Sequence, residues 1–238
     1  MKKVGLTLLV ATATSLGIMI LSSCGGKTGT SSLKTSADSA AYALGIANGY
    51  GMGEGIANFP GEKLDLDLIA AALRDGLKGD TSLMHPRDAQ GVFQAYMMKA
   101  QQEQEEANKT AGEKFLEENK SKDGVRTTDS GLQYKVTEEG TGATPNATDT
   151  VVVHYKGTLL SGEVFDSSYD RGEPAEFPLN QVIPGWTEGL QLMKEGSKFT
   201  LWIPADLAYG PRPLNEEGGY QTLMFECELL EVKPAVEK

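Results

Sequence analysis

The alternation of apolar and polar positions changes character three times along the chain. After Lys2 and Lys3 comes an apolar run, Val4 to Leu21. It is followed by GGKTGTSSLKTS, which has almost nothing to bury and reads as a flexible tether over 24–36. From Ser36 to about Gly79 the apolar residues recur near helical period. Tyr42, Leu44, Ile46, Tyr50, Met52 and Ile56 predict a first helix capped by Asp38 or Ser36. Its glycines at 45, 49, 51 and 53 lower helix propensity, and glycine at such density on a helix marks close backbone approach to a partner. A second helix is predicted over Leu66–Leu77, with Asp65 as cap and Gly79 as stop. A third opens after His85 with Pro86 in its first turn and runs to about Lys120, some 50 Å at 1.5 Å per residue. Val92, Phe93, Tyr96 and Met97 give its start an apolar face. From Gln101 to Glu113 that stripe almost vanishes, as expected of a solvated, bridging helix.

Beyond Ser121–Ser130, where glycine and threonine bring turns, the period becomes two. GLQYKV, TVVVHYKGTLL, KFTLWIP and TLMFECELLEV predict strands, the second stopping at Ser161-Gly162, with one short helix over Gly185–Met193. The fold class is therefore α+β: a helical N-terminal part, a long connecting helix, then a mostly antiparallel β domain. The boundaries read 1–23, 24–36, 37–84, 85–122 and 123–238. The two short helices and the start of the third carry too little apolar material for a stable monomer, so a homodimer through these helices is expected.

Composition narrows the partners. Acidic side chains number 33 against 22 basic, and loss of 1–23 would leave 20 basic, which argues against nucleic acid. The opening Lys-Lys, apolar run and Leu21-Ser22-Ser23-Cys24 read as a secretory signal whose end resembles a bacterial lipobox, in which the cysteine becomes the lipidated mature N-terminus. A membrane-spanning anchor competes with this, since the apolar run just reaches the lower limit of a span. Cys227 is the second of two cysteines, so acylation of Cys24 would leave it no disulfide partner.

Catalytic constellations are easier to exclude than to assemble. His154 lies between Val153 and Tyr155 on a strand and is expected to face solvent if Tyr155 faces inward. No Ser/His/Asp, Cys/His or zinc-ligand cluster can be built around it, and no cofactor is implied. In VFDSSYDR, residues 164–171, Asp166, Ser168 and Asp170 have the spacing that opens a calcium loop. The sixth and twelfth positions, however, are Arg171 and Phe177 instead of glycine and glutamate, so no metal is expected. What surrounds the aspartates is aromatic: Tyr155, Phe165, Tyr169, Phe177, Trp186, Trp202, Tyr209 and Phe225. Spacing alone does not separate an aromatic pocket from an ordinary β core.

Residues 151–186, VVVHYKGTLLSGEVFDSSYDRGEPAEFPLNQVIPGW, with IPADLAYG at 203–210 and TLMFECELLEV at 222–232, resemble an FKBP-type peptidyl-prolyl cis-trans isomerase. The likeness spans about residues 128–233, and the helical part resembles the dimeric Mip-like subgroup of bacterial envelope isomerases. The resemblance implies a half-open antiparallel sheet wrapped on a short helix, with a proline-binding pocket between them. Tyr155 and Phe165 would form a wall, Val182 and Ile183 an edge, Trp186 the floor and Phe225 the rear. Phe177 and Ala208 complete the expected pocket. Tyr209 would offer its hydroxyl, and the Ile183 N–H would hold a substrate carbonyl. Asp166 would pair with Arg171 at the rim and hold Tyr155, while Asp170 and the two serines shape the turn.

The partners implied are proline-containing unfolded or partly folded polypeptides, a second copy of the chain, a membrane reached through lipid on Cys24, and a macrolide inhibitor. The location implied is the bacterial cell envelope, at the outer membrane facing the periplasm. Two departures from the family pattern stand out. PRPLNEEGGYQTL puts Glu216, Glu217, Gly218 and Gly219 where relatives have an apolar, stiff overhang, and Ala175 replaces an aromatic. The altered loop motivates a second reading, a dimeric holdase-type chaperone with weak or lost isomerase activity. An acidic adhesion lipoprotein is a third, which nothing in the sequence selects.

Overall fold

The computed structural model describes residues 33–57, 59–215 and 218–235. The apolar run, Cys24, most of the tether and Glu216–Glu217 lie outside them. By its internal contacts the chain divides into Met1–Gly49 and Tyr50–Lys238, a boundary that falls inside the first helix. The helices are α1 (Ser36–Ala57), α2 (Leu66–Lys78) and α3 (Pro86–Asn119). The strands that follow are β1 (Val125–Thr127), β2 (Gln133–Glu138), β3 (Thr150–Leu159), β4 (Val164–Ser167), β5 (Ala175–Pro178), β6 (Lys198–Ile203) and β7 (Leu223–Lys233). Two further helices, α4 (Ser168–Arg171) and α5 (Pro184–Leu190), interrupt the strands.

Local chemistry explains the helix ends. Thr35 caps α1: its hydroxyl accepts from the Asp38 N–H at 3.0 Å, and the Asp38 carboxylate accepts from the Thr35 N–H at 2.9 Å. This reciprocal box corrects the expected cap, Asp38 or Ser36, to Thr35; Asp38 serves as the returning partner. Asp65 accepts from the N–H groups of Asp67 and Leu68 to start α2, and Gly79, at φ 72°, ends it. His85 caps α3 through its ring nitrogen, which accepts from the Arg87 N–H, and Pro86 occupies the first turn, where its missing donor costs nothing.

The stretch expected to be solvated on α3 is not solvated on every side. Ala100, Gly112 and Asn119 are buried and Gln104, Asn108 and Leu116 half-buried, a stripe at helical spacing. It escapes hydropathy because it is polar: Asn119 Nδ2 donates to Gln133 Oε1 at 2.9 Å, and Gln133 Nε2 donates to the Leu116 carbonyl at 2.7 Å. Nearer its start, Phe93 packs on Phe59 and the Tyr96 hydroxyl donates to the Glu62 carbonyl, fastening the 59–62 linker to the helix.

The sheet runs β1-β2-β6-β7-β3-β4, with β5 also on β3, and every pairing is antiparallel. The ten-residue β3 serves two edges, pairing β5 through Thr150–Val153 and β4 through Lys156–Thr158. Three of the strands, β1, β4 and β5, were not predicted. They are three or four residues long, too short to show an alternation, and exist because a long neighbour offers its ladder. The predicted short helix is α5, which starts one residue earlier than expected at Pro184 and stops before Met193. Leu132, Val151, Val153, Leu190, Leu201, Ile203, Leu223 and Leu229 are fully buried between sheet and helix. The helix lies close because Gly185 and Gly189 have no side chain; a Cβ on either would strike Ile203 or Leu201. Among the described residues no helix is long and apolar enough to cross a membrane.

Candidate active site

On the concave face of β3 the alternation that buries Val151 and Val153 also turns Tyr155 inward, leaving it 3% exposed. Its backbone is pinned by Ser168: the Ser168 hydroxyl accepts from the Tyr155 N–H at 2.8 Å and donates to the Tyr155 carbonyl at 3.2 Å. The side chain is held at its other end. The Tyr155 hydroxyl donates to Asp166 Oδ2 at 2.5 Å and accepts from Arg171 Nη2 at 2.8 Å, while Arg171 Nη1 pairs with Asp166 Oδ1 and its guanidinium lies 5.4 Å from the Tyr155 ring centre. Burial, then the bond to Asp166, pushes the Tyr155 phenol up to about 12, so it stays a neutral donor.

The segment VFDSSYDR supplies all of this because of how it folds. Phe165 and Asp166 lie on β4, with Asp166 paired opposite Gly157 of β3. Ser167 caps α4 by accepting from the Asp170 N–H, and Gly172, at φ 81°, ends that single turn, so Arg171 comes back beside Asp166. The two serines therefore have separate tasks. Ser167 shapes the turn as expected, whereas Ser168 grips Tyr155.

Around Tyr155 lies a cavity of about 450 Å³ lined by Tyr155, Phe165, Asp166, Phe177, Gln181, Val182, Ile183, Trp186, Tyr209 and Phe225. Its rings meet edge to face: Trp186 is 4.9 Å from Tyr155 at 90°, 5.6 Å from Phe177 at 86° and 5.1 Å from Phe225 at 76°, and Phe165 meets Phe225 at 5.5 Å and 86°. Such contacts stiffen the wall as well as desolvate it. Tyr209 is more open, at 37% exposure; burial and the nearby Asp166 charge raise its phenol above the ordinary value.

Nine of the eleven residues expected from sequence thus border one cavity. Arg171 lies behind Asp166 at the rim, and Ala208 packs against the core beside Tyr209. Sequence reasoning missed Gln181, which carries no distinguishing signal, and Gly157, which does: glycine inside a strand marks close approach. A Cβ there would come within 2.7 Å of Phe165 and 2.8 Å of Phe225, so only glycine lets those rings meet. His154 points away from the cavity yet is half-buried, not solvent-facing. Tyr169 stacks on it at 4.6 Å and Ser168 hydrogen-bonds its Nδ1, because α4 folds over that side of the strand. Cys227 is buried, its thiol pushed well up by desolvation. Among the described residues no three His, Cys, Asp or Glu side chains gather as for a metal.

A cavity walled by aromatic rings, with a tyrosine–carboxylate–guanidinium network at its mouth, suits a reaction that turns on an apolar enclosure. Two family models match. One, the FKBP-type peptidyl-prolyl cis-trans isomerase, covers residues 142–230, and the other, the domain amino terminal to it, covers residues 37–136. The chain belongs to the FKBP-type peptidyl-prolyl cis-trans isomerases. It is 46% identical to the FkpA isomerase of Aeromonas hydrophila, over 86% of this chain and 80% of that protein. It is 40% identical to the outer membrane protein MIP of Legionella longbeachae, over 95% and 98%. The crystal structure of FkpA from Escherichia coli superposes with a TM-score of 0.70 at 40% identity, covering 85% of this chain and 99% of that one. The isomerase thus acts on the X-Pro bonds of polypeptides, and the holdase reading is not favoured.

Proposed function

We propose that the cavity under Tyr155 is where this isomerase holds the proline of its substrate, and that it works by desolvation and positioning with no proton transfer. The observation that carries this is the network of Tyr155, Asp166 and Arg171 fixed at the mouth of a cavity floored by Trp186. An X-Pro amide rotates over a barrier of about 18–20 kcal/mol because resonance gives its C–N bond double-bond character. The planar form is the more charge-separated one, so an apolar enclosure disfavours it relative to the twisted transition state, in which nitrogen is less conjugated. Each reduction of about 1.4 kcal/mol is worth tenfold in rate, and no nucleophile or cofactor is called for. In this reading Trp186, Phe177, Phe165 and Phe225 exclude water, Val182 and Ile183 form the edge, Ala208 backs the Tyr209 turn, and Tyr209 and the Ile183 N–H bind the substrate backbone. Asp166 and Arg171 keep Tyr155 in one rotamer.

The test is acceleration of cis-to-trans conversion of an X-Pro peptide by purified residues 25–238. Asp166→Ala and Tyr209→Phe should each slow it, and unaltered rates in both would remove the cavity from the mechanism. Competition by a macrolide for the same cavity is part of the proposal, measured as loss of that acceleration.

The remaining assignments are also proposals. Residues 37–84 serve as a dimerisation domain, 85–122 as the connecting helix and 123–238 as the isomerase domain. The dimer is supported by apolar side chains that α1 and α2 leave exposed, including Leu44 at 67%, Tyr50 at 70% and Leu77 at 90%. Beyond the adjoining backbone of α1 itself, nothing described lies within 4 Å of where a Cβ would stand on Gly45, Gly49, Gly51 or Gly53, which leaves that backbone open to a second copy. Residues 1–23 serve as signal peptide, and lipid on Cys24, with 24–36 as tether, holds the protein in the bacterial envelope, at the outer membrane facing the periplasm. This rests on Leu21-Ser22-Ser23-Cys24 and on the name of the outer membrane protein it resembles. Mass spectrometry of the mature N-terminus tests it: an unmodified Cys24 would overturn the anchor.

A further inference from the structure

We propose that the long helix α3 positions the Tyr209 turn of the pocket, with Asn108 and Lys109 as its positioning residues. This rests on Tyr209 belonging to the proline site.

The chain between Ala208 and β7 leaves the cavity at Tyr209 and comes back past α3. Its two stems are joined beside the cavity. The Tyr220 N–H donates to the Gly210 carbonyl at 2.6 Å, and Gly219 lies so close to Pro211 that a Cβ would strike the Pro211 carbonyl. The returning stem is gripped by α3. Asn108 Nδ2 donates to the Gly219 carbonyl at 2.8 Å, and Lys109 Nζ stands 4.0 Å from the Tyr220 ring centre. One turn further on, the buried Thr222 occupies a notch at Gly112, where a Cβ would strike its hydroxyl. Gln104 orients the clamp, its Nε2 donating to Asn108 Oδ1 at 3.0 Å.

Tyr220 has φ 56°, the single positive φ of a non-glycine among the described residues. A bulky side chain rarely adopts that conformation, so the contacts around it must hold it there. They are the ring on Lys109 and the neighbouring carbonyl on Asn108. From α3 to the cavity the route is therefore short: Asn108 to Gly219, Tyr220 to Gly210, and Gly210 to its chain neighbour Tyr209. The Gly218-Gly219 pair makes this docking possible, since Gly218 is itself at φ 81° and lies against Gln104 and Asn108.

The experiment uses the full chain. In Asn108→Ala/Lys109→Ala, amide hydrogen exchange at Tyr220 should quicken about tenfold, and kcat/KM for an X-Pro peptide should fall about threefold to tenfold. Lys109→Arg, which keeps a cation over the ring, should recover most of what Lys109→Ala alone loses. Gly112→Ala should act like the double variant by displacing Thr222, and Thr222→Ala added to it should restore most of the rate, because the 2.3 Å clash with the hydroxyl becomes a tight 3.3 Å contact with Cβ. Tyr209→Phe separates the two layers. If it alone leaves kcat/KM unchanged, the assignment of Tyr209 to the proline site fails. If it lowers kcat/KM and the Asn108/Lys109 changes cost less in its background than in the native chain, the relay through Tyr209 stands. Full additivity would overturn the relay, as would unchanged exchange at Tyr220 or faster exchange with unchanged kcat/KM.

Discussion

The helical segment and the sheet domain use similar apolar residues to opposite ends. In the sheet domain Leu132, Leu190, Leu201, Leu223 and Leu229 are completely buried, whereas on α1 and α2 Leu44, Leu66, Leu68 and Leu77 are more than half exposed. The difference lies in what each region can close upon. A seven-stranded sheet with a helix across it brings side chains from distant positions onto one volume. A helix standing alone carries too little apolar surface to close a core, so on the dimer proposal these faces meet a second copy. Between the two regions α3 follows neither rule, docking through amides and a glycine notch. An apolar core tolerates few voids, a polar stripe fixes register, and an exposed apolar face is the surface on which the dimer proposal rests.

The largest expected effect lies in the core. Leu201→Ala, at a site with no exposure, should lower stability by about 2–5 kcal/mol, read from the urea midpoint. A loss under about 1 kcal/mol would mean that the core can collapse around the gap. Next comes the pocket. Asp166→Ala removes the acceptor of the Tyr155 hydroxyl and the partner of Arg171, and should lower kcat/KM by about tenfold, since a charge-assisted hydrogen bond is worth about 1.5–3 kcal/mol. Asp166→Asn should recover part of that rate, because the amide oxygen still accepts.

On the helices the same kind of change should behave differently. Leu77→Glu, at 90% exposure, should change the unfolding free energy of the sheet domain by less than about 0.5 kcal/mol while abolishing association in sedimentation velocity. A Leu77→Glu chain that still sediments as a dimer would exclude this face from the interface. The smallest effect concerns pH. Folding raises the Tyr155 phenol from 10.0 to about 12, so its contribution is fully present below pH 10 and is lost as pH rises through about 12. The stability difference between the native chain and Tyr155→Phe should therefore be flat from pH 7 to about pH 9. A decline already visible within that range would mean that burial does not protect the hydroxyl.

Much of the fold could be read residue by residue. Asp65, Gly79 and Pro86 mark their helix ends through chemistry confined to one turn, and the longer strands β3, β6 and β7 alternate over enough positions to declare themselves. The short strands β1, β4 and β5 could not be read that way, because a strand of three or four residues borrows its conformation from the neighbour it pairs with. The site was legible as a set of residue types, since Tyr155, Phe165, Trp186 and Phe225 stand out among a small aromatic content. Spacing could not bring them to one cavity; the likeness to relatives did.

What the sequence by itself determined is therefore the inventory and the local punctuation: which segments are helical, where the period changes from helix to strand, and that histidine and cysteine occur twice each. Only the tertiary structure decided the uses. It gave Ser168 the Tyr155 backbone to hold, made Gly157 the gap in which two rings meet, covered His154 with Tyr169 and turned a polar face of α3 onto the Gly218–Thr222 stem. The physical reason is common to all four. Each depends on residues distant in sequence approaching within a hydrogen bond or a ring contact, and such encounters are set by the closure of the sheet and the register of its strands.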